Sequence, residues 1–133
     1  MTGYVVDTHA FIWYLLSPAR LSQSAHDALA QAALRGERLY IPAIVLVELC
    51  YLVDKGKFQP QQLDALVASL SDPNSGCVIA PLDQHTALAV RNIDRATVPD
   101  MPDRVIAATA LTLGLPLITR DHKIQASNVS TIW

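Results

Sequence analysis

The sequence predicts an α/β domain of three layers, with helices on both sides of a central, mainly parallel sheet of four to five strands. Three observations lead there. Short apolar runs alternate with longer helical stretches along the whole chain, the pattern of parallel strands joined by helical crossovers. The breaks between them carry Gly, Pro, Ser and Asp at places where helices start and stop. Apolar residues make up 51% of the 133 positions, enough for one core, and nothing in between reads as a repeat, a linker or a low-complexity segment. The expectation is a single domain over residues 1–133.

The elements follow in order. Tyr4-Val5-Val6 reads as a first strand ending at Asp7, and Thr8 to Leu16 as a helix stopped near Ser17-Pro18. Ser22 suits the N-cap of a helix from about Gln23 to Arg35, and Gly36 its stop. Leu39-Tyr40-Ile41 is a short strand, and Pro42 fits the first turn of a helix reaching about Asp54. Lys55-Gly56-Lys57 breaks that helix, and Pro60 opens another to about Leu70. After a loop, Cys77 to Ala80 forms the third strand, followed by a helix from Asp83 to about Asn92. A polar stretch from Asp94 to Pro102 leads into a strong helix that Gly114 ends. Leu117-Ile118-Thr119 is the fourth strand, with Ser130-Thr131-Ile132 as a short edge strand.

Composition sets limits on function. Charged residues are only 17%, so apolar faces are left for a partner. With a net charge of −2 and a pI of about 6.0, the chain is no general polyanion binder; a phosphate-bearing substrate would be held by a few placed cations or a bound metal. Cys50 and Cys77 sit among apolar residues without zinc-like spacing and read as small hydrophobes in a reducing cytosol. A signal peptide and a membrane-spanning run are both missing from the pattern, so a cytoplasmic protein is expected.

Four acidic positions stand out. Asp7 closes the first strand and Asp121 lies just past the fourth; Asp103 begins a helix, with Asp100 three residues earlier. Each has a simple reading as a helix cap. Glu48 lies within a helix that is apolar on every side, and such a helix is usually buried. A buried carboxylate is costly unless paired or metal-bound. In open α/β sheets, sites form at the carboxyl ends of strands where strand order reverses. Carboxylates converging there would repel one another without a cation, and all-oxygen ligands suit Mg²⁺ or Mn²⁺. The matching chemistry is displacement at a phosphodiester.

The opening Val6-Asp7-Thr8-His9-Ala10-Phe11-Ile12-Trp13 resembles the start of PIN-domain proteins, especially a VapC-like branch. The stretch Asp100 to Ala110 resembles that branch's Asp-x-x-Asp-Arg-x-Ile-Ala-x-x-Ala helix start, and Leu115 to Asp121 its final acidic strand end. Val47-Glu48-Leu49 stands where the family places its helical glutamate, although relatives often have Trp where this chain has Val47. The resemblance covers essentially the whole chain. It implies a PIN-like fold and a Mg²⁺- or Mn²⁺-dependent endoribonuclease acting as the toxin of a toxin–antitoxin pair. It implies Asp7, Glu48, Asp103 and Asp121 as the metal-binding and catalytic quartet, with Asp103 central. Asp100 is an auxiliary candidate, and the Thr119 hydroxyl would support the site. It also implies a homodimer, an antitoxin peptide lying in apolar grooves, and an RNA substrate such as tRNA or rRNA.

Among the cations Arg91, Arg95, Arg104, Arg120 and Lys123, the substrate-binding candidates are Arg104, which directly follows Asp103, and Arg120. His9 and His122 adjoin site residues and read more simply as surface or structural groups. A haloacid-dehalogenase-like site would need an acid at His9, and a response-regulator receiver an acidic pair at Val5-Val6. The remaining rival is a binding module of the same fold that lost catalysis; such a module would be expected to lack carboxylates that are all present here.

Overall fold

In the computed structural model, residues 2–133 are described. Five strands, β1 (Gly3–Val6), β2 (Arg38–Pro42), β3 (Cys77–Ala80), β4 (Leu117–Ile118) and β5 (Thr131–Ile132), form one sheet in the order β3-β2-β1-β4-β5. Every pairing is parallel, with Tyr4 opposite Leu39, Val5 opposite Leu117, Leu39 opposite Cys77 and Leu117 opposite Thr131. The chain runs from β1 outward to β3 and then returns to the other side of β1, so strand order reverses between β1 and β4.

Among the described residues seven α-helices flank the sheet: α1 (Thr8–Leu16), α2 (Gln23–Leu34), α3 (Ala43–Asp54), α4 (Pro60–Ser71), α5 (Gln84–Ala89), α6 (Met101–Leu113) and α7 (His122–Gln125). The caps are those the sequence signals: Ser22 accepts from the Ala25 N–H at 3.1 Å, and Gly114 ends α6 in the left-handed region at φ 67°. Gly3 is required for a different reason. Its φ is 115°, and a Cβ there would stand 2.1 Å from the Arg38 carbonyl oxygen, so only glycine lets β1 approach β2 at this point.

The core is continuous. Val5, Val6, Ile41, Leu117 and Ile118 from the sheet meet Phe11, Leu29, Leu49 and Ile106 from the helices, all with 0–1% exposure. Burying each such side chain is worth about 1.5–3 kcal/mol. Helices α3 and α6 pack on each other and on β2, bringing Glu48 and Asp103 toward the sheet edge that carries Asp7.

Four sequence expectations change locally. Pro42 is the last residue of β2 and the N-cap of α3, since its fixed φ serves an extended end as well as a first turn. Thr119 lies just beyond β4. The helix expected over Asp83 to Asn92 is α5 with Asp83 as N-cap, then a 3₁₀ turn at Val90–Asn92. Finally, α3 is not buried all round: Ile44, Val45 and Leu49 face the core, while Val47 and Tyr51 are 49% and 61% exposed and Cys50 is exposed beside them.

Candidate active site

Asp7, Glu48, Asp100, Asp103 and Asp121 line one cleft of about 830 Å³ at the carboxyl edge of the sheet. Asp7 and Asp121 follow β1 and β4, the two strands between which the order reverses. Thr8, His9, Trp13, Arg120, His122 and Lys123 complete most of its wall.

Helix capping holds three of these carboxylates. Asp7 Oδ1 accepts the Ala10 N–H at 2.9 Å, and the Asp7 N–H donates to the Ile118 carbonyl at 3.2 Å, tying it to both β4 and α1. Asp100 Oδ2 accepts the Asp103 N–H at 3.2 Å. Asp121 Oδ1 accepts from the N–H groups of Lys123 and Ile124 at 2.9 and 3.0 Å. Each cap occupies one oxygen named here and leaves the other carboxylate oxygen for further ligation. Capping and a site role are therefore compatible.

Two threonines position the rest. Thr8 is buried and its hydroxyl donates to Glu48 Oε1 at 2.7 Å, coupling α1 to α3. Thr119 is fully buried; its Oγ1 accepts the Asp121 N–H at 3.0 Å, and its hydroxyl draws the Asp7 carboxyl down. The side chain thus ties the backbone at Asp121 to the surroundings of the Asp7 carboxylate across the switch point. In the sequence nothing marks Thr8 as a site residue except its place beside Asp7.

The electrostatics record the crowding. Burial pushes the Asp7 carboxyl up to about 6 against the pull of Thr119 and the Ala10 N–H, with Asp121 adding to the rise. Burial, followed by the neighbouring carboxylates Asp121, Asp100 and Glu48, pushes Asp103 up to about 7. Glu48 is raised by burial first, partly offset by the Thr8 hydroxyl. Asp103 thus lies within electrostatic reach of three of the other four acids.

The donor set fits a hard divalent cation by its chemistry: five carboxylates, all oxygen, repelling one another. As the side chains stand, no three Asp, Glu, His or Cys groups among the described residues are arranged to hold an ion. A complete protein cage is not required for Mg²⁺, which usually keeps several waters and takes one or two carboxylates plus substrate phosphate.

The cations divide. Arg120 lines the cleft, with its guanidinium 4.8 Å from the centre of the Trp13 ring. Arg20, which the sequence reading passed over, sits 4.9 Å from the same ring. Arg104 is a correction: it does not line the cleft. Its Nη2 donates to the Val90 and Ile93 carbonyls, both at 2.9 Å, and so fastens the 3₁₀ turn to α6. The guanidinium is spent on backbone oxygens that the neighbouring Asp103 gave no sign of.

An open parallel α/β domain with carboxylates gathered at its strand switch point is the class defined by this fold and cleft. A family model described as the PIN domain matches residues 4–128, and the chain belongs to that family. Over 137 aligned residues it is 28% identical to Ribonuclease VapC22 of Mycobacterium tuberculosis, covering all of both chains. The fold is similar to that in the crystal structure of VapBC2 from Rickettsia felis bound to a promoter DNA fragment. That match has a TM-score of 0.71 and 21% identity over 96% of each chain. It is also similar to DNA-bound VapBC from Salmonella typhimurium, at TM-score 0.67 and 18% identity over 98% and 97% of the two chains.

Proposed function

We propose that this chain is a divalent-metal-dependent endoribonuclease and the toxin of a toxin–antitoxin pair. The observation that carries the reading is the cleft at the β1/β4 switch point, where a PIN-family chain retains Asp7, Glu48, Asp103 and Asp121 together. RNA as substrate is supported by the relative named as a ribonuclease. The likeness to VapBC complexes accords with an antitoxin partner.

Asp7, Asp103 and Asp121 would hold Mg²⁺, or Mn²⁺ in its place, with Glu48 at the side of the cleft. When bound, such an ion supplies Lewis acidity toward the phosphodiester and toward water. The protein's own part is positioning. Backbone N–H groups fix the Asp7 and Asp121 carboxylates, and the Thr119 hydroxyl holds the Asp121 backbone N–H. Thr8 occupies Glu48 Oε1 and leaves Oε2 to take a proton from an attacking water. Arg120 and Lys123, at the rim, supply positive charge for the non-bridging phosphate oxygens.

A second copy of the chain is the natural cover for the exposed Val47, Cys50 and Tyr51 stripe on α3, and a homodimer is part of the proposal. No helix among the described residues is long and apolar enough to cross a membrane, and the proposed site of action is the cytoplasm.

One other reading stands beside it, a PIN-fold binding module without catalysis, in which the same cleft would hold a partner instead of a metal ion. Both are tested by incubating purified wild type and Asp103→Asn with a mixed tRNA and rRNA pool, in Mg²⁺, in Mn²⁺ and in excess chelator. Discrete fragments from wild type alone, abolished by chelator, are expected. Intact RNA with folded, antitoxin-free wild type would leave the binding module.

A further inference from the structure

A second groove of about 420 Å³ opens beside the carboxylate cleft and shares His9, Trp13 and Arg120 with it. The geometry points to this groove as the seat of the single-stranded RNA segment flanking the scissile phosphate, with Arg20, Lys57 and Arg120 taking backbone phosphates and Phe58 a base. This rests on the ribonuclease reading and adds to it where the strand lies.

The charge distribution is the first reason. The groove is lined by three permanent cations and by no acid, in a chain whose net charge is −2. All three are exposed, and among the described residues none has a carboxylate within ion-pair distance; the one close pair is His26 with Asp27. Like charges set together without a counter-ion call for a polyanion.

The second reason is how two of them are placed. Trp13 is only 4% exposed and packs against Trp133 at 5.8 Å between ring centres. Its ring holds both Arg20 and Arg120 by cation–π contact at 4.9 and 4.8 Å. A fixed indole thus presents two guanidinium groups at the junction of the clefts. Guanidinium groups bind phosphate bidentately, so pre-placing them lowers the entropy lost on binding. Lys57, which lines this groove and not the carboxylate cleft, adds a third charge next in sequence to half-buried Phe58. Cations that track a backbone beside an aromatic face are the common means of holding single strands.

The test measures binding without cleavage. Wild type, Arg20→Gln, Lys57→Gln and the double variant are titrated in chelator against a short fluorescein-labelled single-stranded RNA of mixed sequence, at several salt concentrations. Each lost phosphate contact should lower the slope of log affinity against log salt by about 0.7, hence by about 1.4 in the double variant. Arg20→Lys should keep its share of the slope, and Arg35→Gln, on an exposed helix end away from the groove, should change nothing. Unchanged affinity and slope in the double variant would overturn the groove assignment while leaving cleavage by wild type, and so the ribonuclease reading, intact. Failure of wild type both to bind and to cleave would remove both. Equal capture of a labelled oligoglutamate, lost with the same variants, would give the groove to an acidic polypeptide instead.

Discussion

Asp7, Asp100 and Asp121 each have extended backbone, cap the helix that follows and face one cleft. At this scale the sequence poses capping and ligation as alternatives, because a cap is a local pattern and convergence is not. The structure removes the opposition, since a cap engages one oxygen and fixes the carboxylate in place. Thr8 was the residue hardest to read, because its partner Glu48 is forty positions away. Replacing it tests its positioning role: Thr8→Val should slow cleavage about tenfold, the value of a hydrogen bond to a charged group. It should also move the acidic limb of the pH–rate profile upward, because the hydroxyl holds the Glu48 carboxyl down. Thr8→Ser should restore both. The raised acids also have a stability consequence. Asp103 and Asp7 ionise near 7 and 6 in the folded chain, above their ordinary value of 3.8, so between these values the folded state binds more protons than the unfolded. Stability of the metal-free protein should fall as pH rises through that window. Asp103→Asn should therefore stabilise it at about pH 8, by about 1–2 kcal/mol after allowance for a half-exposed carboxyl, and the gain should vanish near pH 4. Thermal melts in chelator across pH would show it.

At the scale of elements, most boundaries were legible because caps and breakers are local. Ser22, Gly114 and the Asp-Met-Pro-Asp start of α6 each act within one turn. Two failures have non-local causes. The run from Asp83 to Asn92 changes to a 3₁₀ turn where Arg104, fourteen residues on, takes the Val90 carbonyl. Apart from Glu48 and the terminal Asp54, helix α3 is apolar on every face, so periodicity carries no direction; the outward stripe is known only once α6 and β2 have claimed the other side. Arg104 is thus a fastening between elements. Arg104→Ala should cost about 2–3 kcal/mol in denaturant unfolding, the range for part-buried charged hydrogen bonds. It should leave the salt slope of RNA binding untouched.

For the molecule as a whole, the fold class was readable because alternation of strand and helix leaves few topologies. What alternation does not give is strand order, and the site depends on it: placing β4 beside β1 is what brings Asp121 to Asp7. Surface use is the other molecular property. A charge-poor surface exposes Val47, Cys50 and Tyr51 together, the stripe on which the proposed second copy would sit. Tyr51→Glu should shift the sedimenting species from dimer to monomer with unchanged far-ultraviolet dichroism, and a wild type that is monomeric at all concentrations would refute the dimer.

The proposed activity requires the carboxylates of the switch-point cleft to take a divalent cation for work on RNA. Calorimetric titration of the antitoxin-free protein with Mn²⁺, alongside Asp103→Asn, measures that uptake. Saturable binding by wild type, tightening from about pH 6 to about pH 8 as the raised acids give up their protons, and lost in Asp103→Asn, is predicted. A folded wild type that takes up no Mn²⁺ at either pH, or an Asp103→Asn variant that binds it equally well, would contradict it.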